Sequence, residues 1–291
     1  MKRAGVLQLG QHVGKIVLIV LLGGTLGAAL VRFSPGFGVD ERELDSRLNE
    51  QSIRALRQRQ VEENNFAVFY VHYLGRLLRG DLGMSRTFER PVSELLKERF
   101  PETAKSVGLS LALAWTLGFS LAILAVMSRH WTIDLGASLL AGLLMCLPAA
   151  AMALLFVLAR APARLVLALV VLPQIFRYSR NLLARSAAQP HVLMAQAKGL
   201  NTLRIFFCHI LLPVAPQVLA LAGISVSLAL TAAIPVEALC DLPGIGQLAW
   251  KAALARDLPL LVNLTMIVTL VTLLANSACD LLGQRFRGHA A

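Results

Sequence analysis

Long apolar runs, each bounded by charged or helix-breaking residues, dominate the chain and predict membrane-spanning helices. A span needs about 20 mostly apolar residues. Runs over 13–33, 104–127, 134–159, 212–236 and 259–282 meet that requirement. A weaker run over 163–183 contains Pro173 and carries Arg177 and Arg180 at one end, where long side chains can snorkel toward the headgroups. The interval after the first run is different. Over 40–63 it is dense in both signs of charge, with Leu44, Leu48, Arg54 and Arg57 at helical spacing, which predicts a solvated helix lying on the membrane.

Composition agrees with this pattern. Of 291 residues, 56% are hydrophobic and 15% charged, with a mean hydropathy of +0.65, outside the range of soluble domains. The net charge of +11 does not point to nucleic acid, because the excess Lys and Arg sit at the ends of apolar runs and form no stripe on a soluble face. Cys146, Cys208, Cys240 and Cys279 are scattered, with no CxxC pair and no His at metal-ligand spacing. They read as small packing residues, and no metal or catalytic site is expected.

Charge also sets the expected topology. If 134–183 crossed only once, the stretch holding Arg177, Arg180, Arg185, Lys198 and Arg204 would lie outside, against the positive-inside rule. A break at Arg160-Ala161-Pro162-Ala163-Arg164 puts that stretch in the cytosol with Lys2, Arg3, Arg129, Arg285 and Arg287. The expectation is an all-α polytopic membrane protein of the cell inner membrane, with about six spans and both termini cytoplasmic. The first run lacks a small-x-small cleavage site at its end, so 1–33 is expected to be an anchor helix, not a cleaved signal. Residues 34–103 form an external loop with an amphipathic helix, and 104–291 a core of five spans with a cytoplasmic coupling loop over 184–211.

The coupling loop holds Met194-Ala195-Gln196-Ala197-Lys198-Gly199-Leu200, then Asn201-Thr202-Leu203-Arg204. Gly199 has no Cβ and can close a short helix in the left-handed conformation, and Asn201 can cap the next one. Two small helices at an angle are expected. Ala195 and Ala197 leave room for a partner surface, Lys198 adds charge, and Leu200, Leu203 and Phe206 supply an apolar ridge.

Several motifs follow one another along the chain. Gly80-Asp81-Leu82-Gly83-Met84-Ser85 precedes Pro91-Val92 and Arg99-Phe100-Pro101-Glu102-Thr103. Trp131-Thr132-Ile133-Asp134 and Leu147-Pro148 come next, then the Gly199 segment with His209. Glu237, Pro243-Gly244-Ile245-Gly246, Arg256-Asp257-Leu258-Pro259, Asn276, Asp280 and Arg285-Phe286-Arg287 close the series. In order and spacing the set resembles the membrane-spanning permease subunit of ABC importers of the dipeptide, oligopeptide and nickel class. That resemblance covers nearly the whole chain. It implies half of a translocation path, completed by a second permease subunit in a heterodimer, with two cytosolic ATPase subunits below and an extracytoplasmic substrate-binding protein outside.

The resemblance further implies that Ala195, Ala197, Lys198, Gly199, Leu200, Leu203 and Phe206 couple to the ATPase, and that Glu237, Pro243, Gly244, Gly246 and Asp257 belong to an external gate or loop. Two departures from the family stand out. The turn around Pro162 is very short, and Ile210-Leu211-Leu212-Pro213 lacks the Asn usual after His209, so the fifth span is expected to set off at a different angle.

Absent motifs narrow the function. No GxxxxGK[ST] phosphate loop is present, so ATP is expected to bind on partner subunits and the chain itself needs no cofactor. No HExxH helix or GxSxG elbow supports an enzyme. Two alternatives stay open on the residues alone: a stand-alone secondary transporter or channel, which calls for deep ionisable groups or an inverted repeat, and a divergent, non-transporting membrane scaffold.

Overall fold

The computed structural model of the protein describes residues 80–128 and 130–287, together with 14, 18, 19, 22, 23, 25 and 75. Apart from those few positions, the expected anchor over 13–33 lies outside the described residues, as do the amphipathic segment over 40–63 and the side chains of Arg285, Phe286 and Arg287. The described elements are all helical: α1 (Val92–Met127), α2 (Trp131–Cys146), α3 (Ala149–Leu158), α4 (Ala163–Ala187), α5 (Pro190–Ala197), α6 (Thr202–Leu239), α7 (Ile245–Leu254) and α8 (Leu258–Arg287). Among the described residues α1, α6 and α8 are each long and apolar enough to cross a membrane. The expectation of an all-α polytopic membrane protein holds.

Three boundaries differ from the sequence reading. First, α1 begins at Val92, so the last part of the expected loop over 34–103 is helical. Its opening turns carry Glu94, Lys97, Glu98 and Arg99, which read as loop but lie on a solvated extension, where Arg90 reaches Glu98 at 2.6 Å.

Second, the single run expected over 134–159 is two helices, α2 and α3, bent by 94°. Pro148 explains the break. A residue before proline is pushed out of the helical region, and Leu147 accordingly sits extended at φ −89°, ψ 120°. At 10 residues α3 is about 15 Å long, half the hydrocarbon thickness.

Third, the final helical stretch of the chain's fifth run is longer than expected. α6 starts inside the coupling loop at Thr202 and passes through a π-helical stretch, Ile205–Leu211, before regular helix resumes. That wider turn falls where the Asn is missing and the prolines are displaced, and it changes the angle at which the helix continues.

The chain divides into two compact units. The larger, Phe100–Leu248 with Val271–Ala291, is organised around α4. One apolar cluster joins Val107 and Ala114 of α1, Met152 and Ala153 of α3, Val166, Leu167, Val171 and Ile175 of α4, and Ala229, Ala233 and Val236 of α6. A second joins Ala122, Ala137, Phe176, Leu183, Val192, Ala195, Phe206 and Ile210. α4 therefore serves as a core helix wrapped by its neighbours. Its Arg180 forks onto Asp134 in the first turn of α2, with one bond from Nε to Oδ1 at 2.8 Å and a second from Nη2 to Oδ2. The outward faces of α2 and α3 show Leu135, Leu139, Leu143, Leu154, Leu155 and Leu158, as a lipid-facing surface requires.

The smaller unit comprises described residues of Met1–Arg99 with Ala249–Leu270. Its irregular stretch between Gly80 and Pro91 turns back on itself, pairing Met84 with Pro91.

Candidate functional site

Three groups of side chains carry the features singled out in sequence. The first surrounds Gly199. Pro190 opens α5 at a position where its missing N–H is of no consequence. At the other end Gly199 takes φ +71°. Its amide donates to the Gln196 carbonyl at 2.9 Å and the Leu200 amide to the Ala195 carbonyl at 3.3 Å, the double closure of a glycine-terminated helix. Asn201 then caps the next helix, its Oδ1 accepting from the Leu203 amide at 3.2 Å. The two angled helices expected from Gly199 and Asn201 are present, though the second continues into α6.

Their exposed face is not quite the expected one. Phe206 is 4% exposed and Ala195 3%, both packed in the second apolar cluster, while Leu200 is half-buried. Leu203, at 65% exposed, does project, and Leu193, Met194 and Phe207 project with it. The π-helical turn accounts for the change, because it adds a residue to the turn and rotates Phe207 outward in place of Phe206. Phe206 and Phe207 meet edge to face at 5.1 Å. Ala197, Lys198 and Gly199 are exposed between the two flanks. An apolar ridge around a positive charge is what a helix-in-groove contact uses.

The second group surrounds Glu237, in the last turn of α6 and only 1% exposed. Thr103 donates its hydroxyl to Glu237 Oε1 at 2.8 Å, and the Gly246 amide donates to Oε2 at 2.7 Å. The same Thr103 Oγ1 accepts from the Ile245 amide at 2.7 Å. Gly244 and Gly246 are required by close approach, not by backbone sign. A Cβ on Gly244 would collide with Glu237 and Thr103, and one on Gly246 would lie 2.6 Å from the Ala233 carbonyl oxygen. Nearby, Asp241 sits at φ +50° and accepts from Gln247 Nε2 at 2.5 Å.

The third group, in the smaller unit, surrounds Asp257, which is fully buried. Its Oδ2 accepts from Ser85 Oγ at 2.5 Å and from the Thr87 amide at 3.0 Å, and its Oδ1 caps α8 through the Leu260 amide at 3.2 Å. Asn263 donates to the Leu82 carbonyl at 2.9 Å.

The structure thus brings Glu237, Gly244 and Gly246 together with Pro243 alongside, whereas Asp257 belongs to a different cluster. It adds Thr103 and Ser85, which sequence reasoning quoted within motifs but did not single out. The signal for both was present: each is the last, polar residue of its motif. Cys146 and Cys208 are exposed, so they do not pack within this chain as expected, while Cys240 and Cys279 are partly buried. Among the described residues no group of three or more His, Cys, Asp or Glu is placed to hold a metal ion.

Comparison with known proteins decides what this helical array is. The family model described as "Binding-protein-dependent transport system inner membrane component" matches residues 114–288. The chain belongs to that family. A Brucella suis protein named as a peptide permease is 27% identical over 296 residues, covering 91% of this chain and 90% of that protein. The nickel import system permease protein NikB of Staphylococcus aureus (strain bovine RF122 / ET3-1) is 25% identical over 284 residues, covering 92% of this chain and 87% of its own. The protein is therefore a multi-pass permease component of binding-protein-dependent transport. The permease is matched along nearly its full length, so the short turn at Pro162 and the bend at Pro148 are local features of a complete relative.

Proposed function

We propose that this permease supplies half of the translocation path of an ATP-driven importer for peptides or a similar small solute. A second permease subunit completes the path, two cytosolic ATPase subunits power it, and an extracytoplasmic binding protein delivers the cargo. Both termini and the Gly199 segment face the cytoplasm, in keeping with the run of Arg177, Arg180, Arg185, Lys198 and Arg204. The nucleotide is bound and hydrolysed by the partner ATPases, and this chain is no enzyme.

One observation carries the reading: an exposed apolar ridge of Leu193, Met194, Leu203 and Phe207, flanking Lys198 and fastened to α6 by a glycine-closed turn. Such a ridge on a polar loop has no reason to exist unless a partner covers it. Pressed into a cleft of the ATPase, it transmits closure of the nucleotide-bound dimer to α4 and α6, whose side chains form one cluster with Val192 and Ala195. The path then switches as a rigid body between two states. Ala195 and Phe206 serve as the inner support of this lever, and Ala197, Lys198, Gly199, Leu200 and Leu203 as its contact side. Glu237, Pro243, Gly244, Gly246 and Asp257 shape the loops at the outer mouth.

The test is purification of the tagged protein in mild detergent, with mass spectrometry of what accompanies it. A second multi-span subunit and a Walker-type ATPase are expected. Recovery of the chain alone, with solute flux in liposomes that needs no ATP, would overturn the proposal.

A further inference from the structure

Both oxygens of the Glu237 carboxylate are occupied by groups of this chain, so none is left to meet a solute. What they hold is the start of α7. The first amides of a helix have no partner within it, and here those of Ile245 and Gly246 are satisfied by side chains of two other helices, Thr103 of α1 and Glu237 of α6. Thr103 has a double role, because its one hydroxyl donates to the carboxylate and accepts from the backbone of the turn. The turn has nowhere else to go. Gly244 lies against Glu237 and Thr103 with no space for a methyl group, and Gly246 lies against the α6 backbone at Ala233 and Ile234.

We infer that Thr103 is the positioning residue of the α6–α7 turn: through Glu237 its hydroxyl fastens residues 243–246 to α1, so that the turn travels with α1 and α6 as one body. It acts as a fixed lip and not as a flap that swings during transport. Its place at the outer mouth rests on the importer reading above, but the latch itself does not.

Hydrogen–deuterium exchange of the full chain in nanodiscs, with whatever partners copurify, tests this at the amides of Ile245 and Gly246. Thr103→Val keeps the side-chain volume and removes the hydroxyl, and is expected to speed exchange there roughly tenfold or more. Thr103→Ser is expected to restore wild-type protection. Exchange of Thr103→Val at the wild-type rate would overturn the assignment, and so would a Ser variant as fast as the Val one, since packing of the methyl would then be what matters. Should the Val variant fail to fold, the wild-type complex with and without ATP decides. Equal protection of both amides in the two states supports the fixed lip, and loss of protection in either overturns it. If ATP alters no amide anywhere in the preparation, the importer reading fails, and the three-way comparison of Thr, Val and Ser still judges the latch.

Discussion

Ser85 donates its hydroxyl to the carboxylate of Asp257 at 2.5 Å, across 172 positions of sequence. The pair joins the motif that ends before α1 to the motif that opens α8. Thr103 and Glu237 do the same for another two motifs, across 134 positions. Segments that look like separate signatures in sequence are thus halves of two buried carboxylate clusters, which explains why each contains one small polar residue among apolar ones.

Removing Asp257 is expected to be the most damaging change in its cluster. Asp257→Ala leaves the Ser85 hydroxyl and the Thr87 and Leu260 amides without their acceptor in a buried place, at a cost of about 3 kcal/mol or more. Ser85→Ala should cost about 1–2 kcal/mol. Thermal unfolding in detergent, with the double variant completing the cycle, checks this. Costs that simply add would mean the two residues do not act as a pair.

Gly199 and Gly246 should respond to substitution for opposite reasons. At Gly199 a Cβ meets nothing within 4 Å, but φ is +71°, so only the backbone objects. Asn, which tolerates the left-handed region, should preserve uptake, while Val should abolish it and leave membrane insertion intact. At Gly246 even Ala drives a methyl into the α6 backbone, and the expected result is loss of thermal stability. Uptake that survives Gly199→Val would remove the coupling role assigned to that turn.

Much of this was legible in the sequence, and the misses have physical causes. Gly199 and Asn201 were readable because helix ends depend on local backbone preference, which one or two residues determine. The run over 134–159 read as one span because apolar residues continue through Leu147-Pro148, yet proline acts on the residue before it whatever the hydrophobicity around it. Phe206 and Phe207 exchanged roles because a π-turn shifts the helical phase by one residue, which a 3.6-residue period cannot anticipate. Glu237 looked like a membrane-edge carboxylate free to meet solvent. Its burial depends on Thr103 and on two glycine approaches far away in sequence, and no local pattern encodes those contacts.

The ion pair of Arg180 with Asp134 ties α4 to α2 through two parallel bonds, a geometry available to Arg and not to Lys. Asp134→Ala leaves a cation inside a helix bundle without its partner and should lower stability by about 1–3 kcal/mol. Arg180→Ala in the same background should recover part of that loss, since the stranded charge is gone. A double variant as unstable as the sum of the singles would show that each residue acts independently.

The exposed ridge gives the most discriminating prediction, because it separates docking from folding. Leu203 and Phe207 lie outward on the first turns of α6, while their neighbours Ile205 and Phe206 face the core. A charge placed at an outward position meets water in the free subunit and costs little there, but buried against a partner it is left unpaired. Leu203→Asp and Phe207→Asp should therefore leave expression, melting temperature and the second permease unchanged, while the ATPase no longer copurifies. Phe206→Asp should instead unfold the subunit, because that side chain fills the cluster with Ile210 and Val192. The ordering matters more than any single value. If Phe206→Asp were the mild change and Phe207→Asp the one that unfolds the chain, the phase of the π-turn would be the reverse of that described, and the ridge would revert to the Leu200, Leu203 and Phe206 face expected from regular helical spacing.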